Sequence, residues 1–149
     1  MRVAFDTNVL GYAEGLDDLV RQQRAADVLD AYTGYERAMP VQVGAELHRL
    51  LMRRLRIGPA DAAAHLEKWR ALLPFHPPTT ITAFDAALDL SSTHGLQIFD
   101  AIILAASAEA GCHLLLSEDM QDGFVWRGVT VANPFAVTPH PLLADALRR

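Results

Sequence analysis

Four short apolar runs constrain the fold of this chain more than any other feature of its sequence. They lie at residues 2–6, near 37–39, in CHLLLS at 112–117 and in VTVANPF at 129–135. The first run is too continuously apolar for a half-exposed strand, which is typical of strands buried on both faces. Segments of helical length separate most of the runs, so we predict an α/β domain with a mainly parallel sheet.

Between these runs, apolar residues recur at helical spacing and are bounded by proline and glycine. Pro59 suits the first turn of a helix, while Gly34, Gly58 and Gly111 stand where helices would stop. We predict helices that begin near Thr7 or Asn8, that cover 17–32 and 40–57, that follow Pro59 and Pro78, and that cover 99–110.

Composition excludes several classes of protein. The length of 149 residues favours one domain, and 51% hydrophobic with 21% charged residues indicates neither disorder nor a membrane span. Nothing near Met1 resembles an export signal, so a cytoplasmic location is expected. The single cysteine, Cys112, excludes an internal disulfide, and its apolar setting predicts a small core residue. A net charge of −5 argues against nucleic-acid binding through bulk positive charge.

Four acidic residues stand at positions where a carboxylate is unusual. Asp6 and Asp119 follow two predicted parallel strands, so both should lie at the edge of the sheet where ligands gather. Asp100 begins a strongly apolar helix, and Glu46 shares a helix face with apolar residues. Taken singly, each aspartate could cap a helix or stabilise a turn, and the Glu46 side chain could reach solvent from the edge of the apolar helix face.

Taken together, the four acids predict a metal site. Carboxylates gathered in one cleft repel one another and need a cation. Oxygen ligands without cysteine or paired histidine suit a hard ion, so Mg²⁺ or Mn²⁺ is the expected cofactor. Other classes of site fit less well, because the turn DTNVLG lacks the glycines of a phosphate-binding loop and no G-x-S-x-G motif is present.

The sequence also resembles a known family. VAFDTNVLGYA, the helix VGAELHRLL, the stretch QIFDAIILAASAEAGCHLLLSEDMQDG and the closing VTVANPF together resemble the PIN domain, and within it the VapC-type toxins of bacterial toxin–antitoxin systems. The resemblance runs from residue 3 to about 136. Its specificity comes from the ordered set of acids, since DTN alone would be a weak motif.

The resemblance implies a three-layer α/β/α sandwich that cleaves RNA with Mg²⁺ or Mn²⁺. It also implies homodimerisation and a cognate antitoxin protein that covers or disrupts the site. Carried over by motif position, the catalytic and metal-binding acids would be Asp6, Glu46, Asp100 and Asp119. The supporting polar residues would be Thr7, Asn8 and Ser117.

An arginine-rich stretch lies one turn beyond Glu46. HRLLMRRLRIG carries Arg49, Arg53, Arg54 and Arg56. Our hypothesis is that Arg49 and Arg53 bind the RNA backbone. They could equally contact an acidic antitoxin or form a solvated helix face.

Three points depart from the family pattern or stay open. Asp122 stands where related sequences often carry histidine, and could be a metal contact, an RNA contact or a turn residue, of which we favour the turn. We assign 1–136 to the nuclease domain and 137–149 to a C-terminal extension of the same domain, either a helix that packs on a partner or a loose tail. The alternative function is a catalytically inactive PIN-fold interaction module.

Overall fold

The computed structural model describes residues 1–148, which form one mixed, mostly parallel sheet with helices around it. The strand order across the sheet is β2-β1-β3-β5-β4. Three neighbouring pairs are parallel and the β4–β5 pair is antiparallel. The strands are β1 (Arg2–Phe5), β2 (Glu36–Ala38), β3 (Leu114–Leu116), β4 (Val125–Trp126) and β5 (Val129–Ala132).

Helices fill the connections from β1 to β2 and from β2 to β3 and cover the sheet, which gives the predicted three-layer α/β/α architecture. β1 and β3 are buried on both faces, which explains why their sequences read as continuous apolar runs. The helices are α1 (Thr7–Ala13), α2 (Leu19–Ala31), α3 (Val41–Leu55), α4 (Pro59–Leu72), α5 (Ile81–His94), α6 (Ile98–Glu109) and α7 (Pro141–Leu147).

The register of the central strands brings two chain segments together at one sheet edge. Phe5 pairs with Leu116, so β1 and β3 end side by side. The Asp6 amide continues the ladder by donating to the Leu116 carbonyl at 3.0 Å. The residues that follow both strands therefore meet where parallel sheets commonly carry their ligands.

Helix α6 packs most deeply against this sheet. Its residues from Ala101 to Ser107 are all buried, because one side faces the sheet and the other faces α5. Cys112, just beyond the helix, is buried as predicted. Such complete burial leaves only the two ends of α6 to carry exposed chemistry.

The sequence did not reveal β4, and it left the end of the chain open. β4 has two residues, too few for a visible alternation of apolar and polar side chains. The C-terminal segment forms α7, whose Leu143 is buried against this chain's own α2 side, where the Tyr32 hydroxyl donates to the Leu142 carbonyl at 3.3 Å. Among residues 1–148, no helix combines the length and apolar character needed to cross a bilayer.

Candidate active site

Asp6 is the most deeply placed acid of the predicted set. It follows β1 directly, is only 2% exposed, and serves as the N-cap of α1. Its Oδ1 accepts a hydrogen bond from the Thr7 amide at 2.7 Å, and its Oδ2 accepts one from the Ser117 hydroxyl at 2.6 Å. Capping and a metal role are therefore compatible, because these two bonds leave lone pairs on both oxygens.

Burial changes the protonation of this carboxyl. Desolvation raises the pKa of Asp6 from 3.8 to about 7, against the lowering effects of the bonds from Ser117 and Thr7. The nearby negative charges of Asp100 and Glu46 raise it further. A carboxylate in this position is costly to ionise unless a positive charge lies beside it.

Asp119 is held at the end of the neighbouring strand by a small polar network. Its carboxylate accepts a hydrogen bond from the Asn8 side-chain amide at 3.1 Å, and its own amide donates to the Ser117 hydroxyl at 3.3 Å. Asn8 also accepts from the Glu118 amide at 3.3 Å. Asn8 and Ser117 thus connect the first turn of α1 to the loop after β3.

Glu46 approaches the same region from α3. Its two carboxylate oxygens accept hydrogen bonds from the Thr7 hydroxyl at 3.1 Å and from the Gln42 side chain at 3.0 Å. Gln42 lies one turn earlier on the same helix face, which is the normal spacing for such a pair. The half-buried Glu46 is therefore held toward the start of α1.

Asp100 comes from the start of α6, but it does not cap that helix. The cap is Gln97, whose side-chain oxygen accepts from the amides of Phe99 at 2.8 Å and Asp100 at 3.1 Å. Glutamine is not a favoured capping residue, so this cap could not be predicted from the residue type. Partial burial, followed by the negative charges of Asp119 and Glu46, raises the pKa of Asp100 from 3.8 to about 6.

The four acids come from four separate segments of the chain and interact electrostatically. The negative charges of Asp100 and Glu46 raise the pKa of Asp6, and those of Asp119 and Glu46 raise the pKa of Asp100. The donor set is all oxygen, which fits a hard divalent cation. In residues 1–148, however, no group of three or more His, Cys, Asp or Glu side chains is arranged as a ready-made metal cage. The chemistry of the set fits such an ion, and the side chains are held mainly by their bonds to neighbouring polar residues.

An open cleft of about 420 Å³ lies beside two of these acids. One wall is α3 and the other is the start of α6. We call it the acid cleft; its lining residues are Thr7, Gln42, Ala45, Glu46, Arg49, Leu50, Arg53, Gln97, Phe99 and Asp100.

The predicted arginines divide into two groups. Arg49 and Arg53 line the acid cleft, as a phosphate-binding role would need. Arg54 turns the other way and donates to the Leu16 carbonyl at 2.6 Å. Arg56 ends α3 in the left-handed conformation, with φ 52°. The stretch is therefore not one continuous basic face.

Asp122 has a structural partner away from the acid cleft. Its carboxylate accepts a hydrogen bond from the Asn133 amide at 2.8 Å, which ties the loop after β3 to the end of β5. This contact is what a turn-stabilising residue would make.

Three polar or aromatic residues of the acid cleft, Gln42, Gln97 and Phe99, were not predicted as site residues from the sequence. Gln42 had a usable signal, since it lies four residues before Glu46 on one helix face. Gln97 and Phe99 had none: the first belongs to a residue type that rarely caps, and the second resembles the apolar body of α6. Their position next to Asp100 becomes visible only once the start of α6 is located.

Comparison with known proteins identifies the family of this chain. Residues 3–121 match the family model of the PIN domain. No curated protein matches the chain. The matched residues include all four predicted acids, with Asp119 near the end of the match.

Three solved structures share the fold at low sequence identity. A toxin–antitoxin complex from Klebsiella pneumoniae is 18% identical, with a TM-score of 0.63 over 91% of this chain and 99% of that one. VapC20 from Mycobacterium tuberculosis, a sarcin–ricin loop cleaving toxin, is 17% identical, with a TM-score of 0.61 over 76% and 86%. VapBC2 from Rickettsia felis, bound to a DNA fragment from its promoter, is 14% identical, with a TM-score of 0.63 over 88% and 97%. At these low identities, the TM-scores establish a common fold and nothing further.

Proposed function

The chain belongs to the PIN domain family, and from that premise we propose that it is a metal-dependent endoribonuclease, the toxin of a toxin–antitoxin pair. The observation that carries the proposal is electrostatic. Burial and the negative charges of Asp100 and Glu46 raise the pKa of Asp6. Burial and the negative charges of Asp119 and Glu46 raise the pKa of Asp100. Such an arrangement is costly for folding alone and useful for holding a cation.

Asp6, Glu46, Asp100 and Asp119 would hold Mg²⁺ or Mn²⁺. When bound, the ion supplies a Lewis acid that stabilises charge on the scissile phosphate and lowers the pKa of the attacking water. Ser117 and Thr7 orient the Asp6 and Glu46 carboxylates through their hydroxyls, and Asn8 orients Asp119. Residues that orient metal ligands in this way typically contribute 10- to 100-fold to metal affinity or activity.

RNA would enter along the acid cleft. Arg49 and Arg53 lie one turn apart on α3 and share the cleft with Glu46 and Asp100. Their guanidinium groups offset the repulsion between an acidic protein and a polyanion, and they can grip phosphates with paired hydrogen bonds. The substrate phosphate would thus lie between basic and acidic parts of one cleft.

The partners and location follow from the same proposal. Two of the structures with this fold are described as a toxin–antitoxin complex and as VapBC2, which supports a cognate antitoxin for this chain. A homodimer and a cytoplasmic location complete the proposal. Light scattering of the purified chain, alone and with its antitoxin, measures both assemblies.

The direct test is an RNA cleavage assay with added Mg²⁺ or Mn²⁺. We compare the native chain with Asp6→Asn and Asp100→Asn, and use Asp122→Asn as a control with the same charge change. The native chain and the control should cleave, and the two site variants should lose activity by about 100-fold or more. Equal cleavage by all four proteins would assign the activity to a contaminating nuclease or another site.

One observation favours a second function, an inactive interaction module with the same fold. The acids are engaged with neighbouring polar side chains, and within residues 1–148 they do not form a ready-made ion cage. Absence of cleavage together with stable antitoxin binding would select this alternative.

A further inference from the structure

Phe99 is an exposed aromatic ring in a cleft whose other lining residues are charged or polar, apart from Ala45 and Leu50. It is 48% exposed, although it immediately precedes the buried body of α6. Full burial of a phenylalanine is strongly favourable, and the fold does not achieve it here. The ring lines the acid cleft with Asp100 beside it and α3 opposite.

The backbone beneath the ring is fixed. Gln97 caps α6 through the amides of Phe99 and Asp100, so ring and acid are held at adjacent positions of one rigid turn. A phenylalanine has only two side-chain torsions and can be ordered at low entropic cost. The ring is therefore attached at a set backbone position beside the proposed metal site, and stacking on a base would order it at low entropic cost.

The side chains around the ring are chemically complementary to the base and phosphate of a nucleotide. Arg49 and Arg53 supply guanidinium groups on the opposite wall. Gln42 uses its side-chain nitrogen on Glu46 and Gln97 uses its oxygen as the cap, so one amide oxygen and one amide nitrogen have no protein partner among residues 1–148. An aromatic face, a hydrogen-bond donor and acceptor, and paired cations are the groups that bind a base and its phosphate.

A protein partner fits this position less well. Protein-docking surfaces usually present contiguous apolar area, whereas the ring shares its cleft with four charged side chains and has only Ala45 and Leu50 as apolar companions there. An apolar surface of that kind lies elsewhere, at Leu19 and Val20 on α2.

We propose that Phe99 is a stacking platform for one nucleobase of an unpaired RNA strand, with Arg49 and Arg53 on the adjoining phosphates. This inference rests on the proposed ribonuclease function and adds a base-binding subsite to it. Bases inside a duplex are already stacked on both faces, so an RNA strand would have to present this base unpaired. Phe99 would place the strand without touching the reacting phosphate.

The test measures binding by fluorescence anisotropy in an Asp6→Asn background, so that the RNA stays intact. The probes are a labelled mixed-sequence single-stranded RNA, its duplex, and a ribose-phosphate strand of equal length without bases. The unsubstituted Phe99 protein should bind the single strand more tightly than the other two probes. Phe99→Ala should weaken single-strand binding about 5- to 150-fold and leave the baseless strand unchanged.

Two further variants separate stacking from other effects. Phe99→Trp should retain the preference for bases, whereas Phe99→Leu, which keeps apolar volume but no ring, should lose it. Arg53→Ala should weaken binding of the baseless strand as well. Since Phe99 is exposed, these variants should keep the native melting temperature.

The possible failures are distinguishable. Unchanged RNA affinity in Phe99→Ala overturns the subsite, and Asp6-dependent cleavage in the native background would show that the nuclease proposal survives without it. Loss of dimer in Phe99→Ala at unchanged RNA affinity would assign the ring to a protein contact and also overturn the subsite. Ring-dependent base binding without any cleavage would retain the subsite and reject the nuclease.

Discussion

The two sides of the candidate site differ in how firmly they are built. On the strand side, Asp6 is buried and both of its oxygens accept hydrogen bonds from Thr7 and Ser117. On the helix side, Asp100 accepts no hydrogen bond among the described residues, and it opens onto the acid cleft with Phe99 and the arginines. The strand side is fixed by the sheet register, whereas the helix side is left available to an ion and a substrate.

This difference assigns separate tasks to the two sides. A carboxylate fixed by the sheet can position an ion with little reorganisation. An open wall with cationic and aromatic side chains can take up a flexible strand of RNA. Variants of Asp6 and Ser117 on the strand side should therefore change metal binding and pH dependence. On the helix side, variants of Gln97 should change local stability and variants of Arg53 should change RNA binding, whereas Asp100 belongs to the metal-binding set.

The largest expected effect is the pH dependence of folding in the metal-free protein. Because the pKa of Asp6 rises from 3.8 to about 7 on folding, the native state binds a proton more tightly than the unfolded chain. Stability should therefore fall as pH rises from about 4 to about 7, by up to about 4 kcal/mol from this group. Asp100, whose pKa rises to about 6, acts in the same direction.

Urea unfolding in EDTA at several pH values measures this effect. Asp6→Asn removes the titrating group and should flatten the profile, and Mg²⁺ added to the native chain should restore stability near neutral pH. Identical profiles of unfolding free energy against pH for the native chain and Asp6→Asn would mean that ionising Asp6 does not destabilise the folded state. That result would contradict the account of the strand side.

The next effect concerns the hydroxyl that holds Asp6. Ser117→Ala should lower Mn²⁺ affinity about 10- to 100-fold, because the Asp6 carboxylate loses its hydrogen bond at 2.6 Å. That bond lowers the pKa of Asp6, so the variant should also need a higher pH to bind the ion.

Calorimetric titration at several pH values measures both changes. Ser107→Ala is the matched control, since the Ser107 hydroxyl is equally buried and has no hydrogen-bond partner among the described residues. If the two alanine variants bind Mn²⁺ equally, Ser117 does not position the acid.

Much of the strand side could be predicted from the sequence, because its information is local. Asp6 follows an apolar strand directly, and the parallel pattern then requires it to meet the end of β3. The family resemblance named Asn8 and Ser117 as supporting residues, and both stand beside strand ends. The actual contacts could not be predicted, because the sequence does not give the direction of a side chain.

The helix side was less accessible to sequence reasoning. Gln97 caps α6 although its residue type seldom does so, and Phe99 cannot be told from a core residue by composition. The sequence of the arginine stretch does not show which guanidinium groups share a surface: Arg49 and Arg53 line the acid cleft, while Arg54 binds a carbonyl. Exposure depends on packing between α3 and α6, which the sequence of either helix alone does not fix.

A smaller effect is expected from the cap of α6. Gln97→Ala should destabilise the chain by about 1 kcal/mol, the usual cost of losing a side-chain cap. Thermal unfolding gives the change. Gln42→Ala serves for comparison, because Gln42 lines the same cleft without capping a helix, and it should leave stability within about 0.5 kcal/mol. Equal destabilisation by both variants would contradict the capping role.

The smallest effect concerns a single arginine of the helix side. Arg53→Ala should weaken RNA binding at all sequences and reduce the slope of log affinity against log salt by about 0.7 to 1. Arg70→Ala on α4, which removes the same charge from an exposed pair with Glu67, should leave that slope unchanged. Equal salt-dependence slopes for Arg53→Ala and Arg70→Ala would mean that Arg53 does not contact an RNA phosphate.

The central claim, that four acids from separate chain segments together bind divalent metal, is tested most directly by Mn²⁺ titration of the native chain. We compare it with Asp6→Asn, Asp100→Asn and Asp122→Asn. Saturable Mn²⁺ binding by the native chain and by Asp122→Asn, with a loss of at least about tenfold in the other two, is the predicted result. Equal Mn²⁺ affinity in all four proteins, or no binding by any, would contradict it.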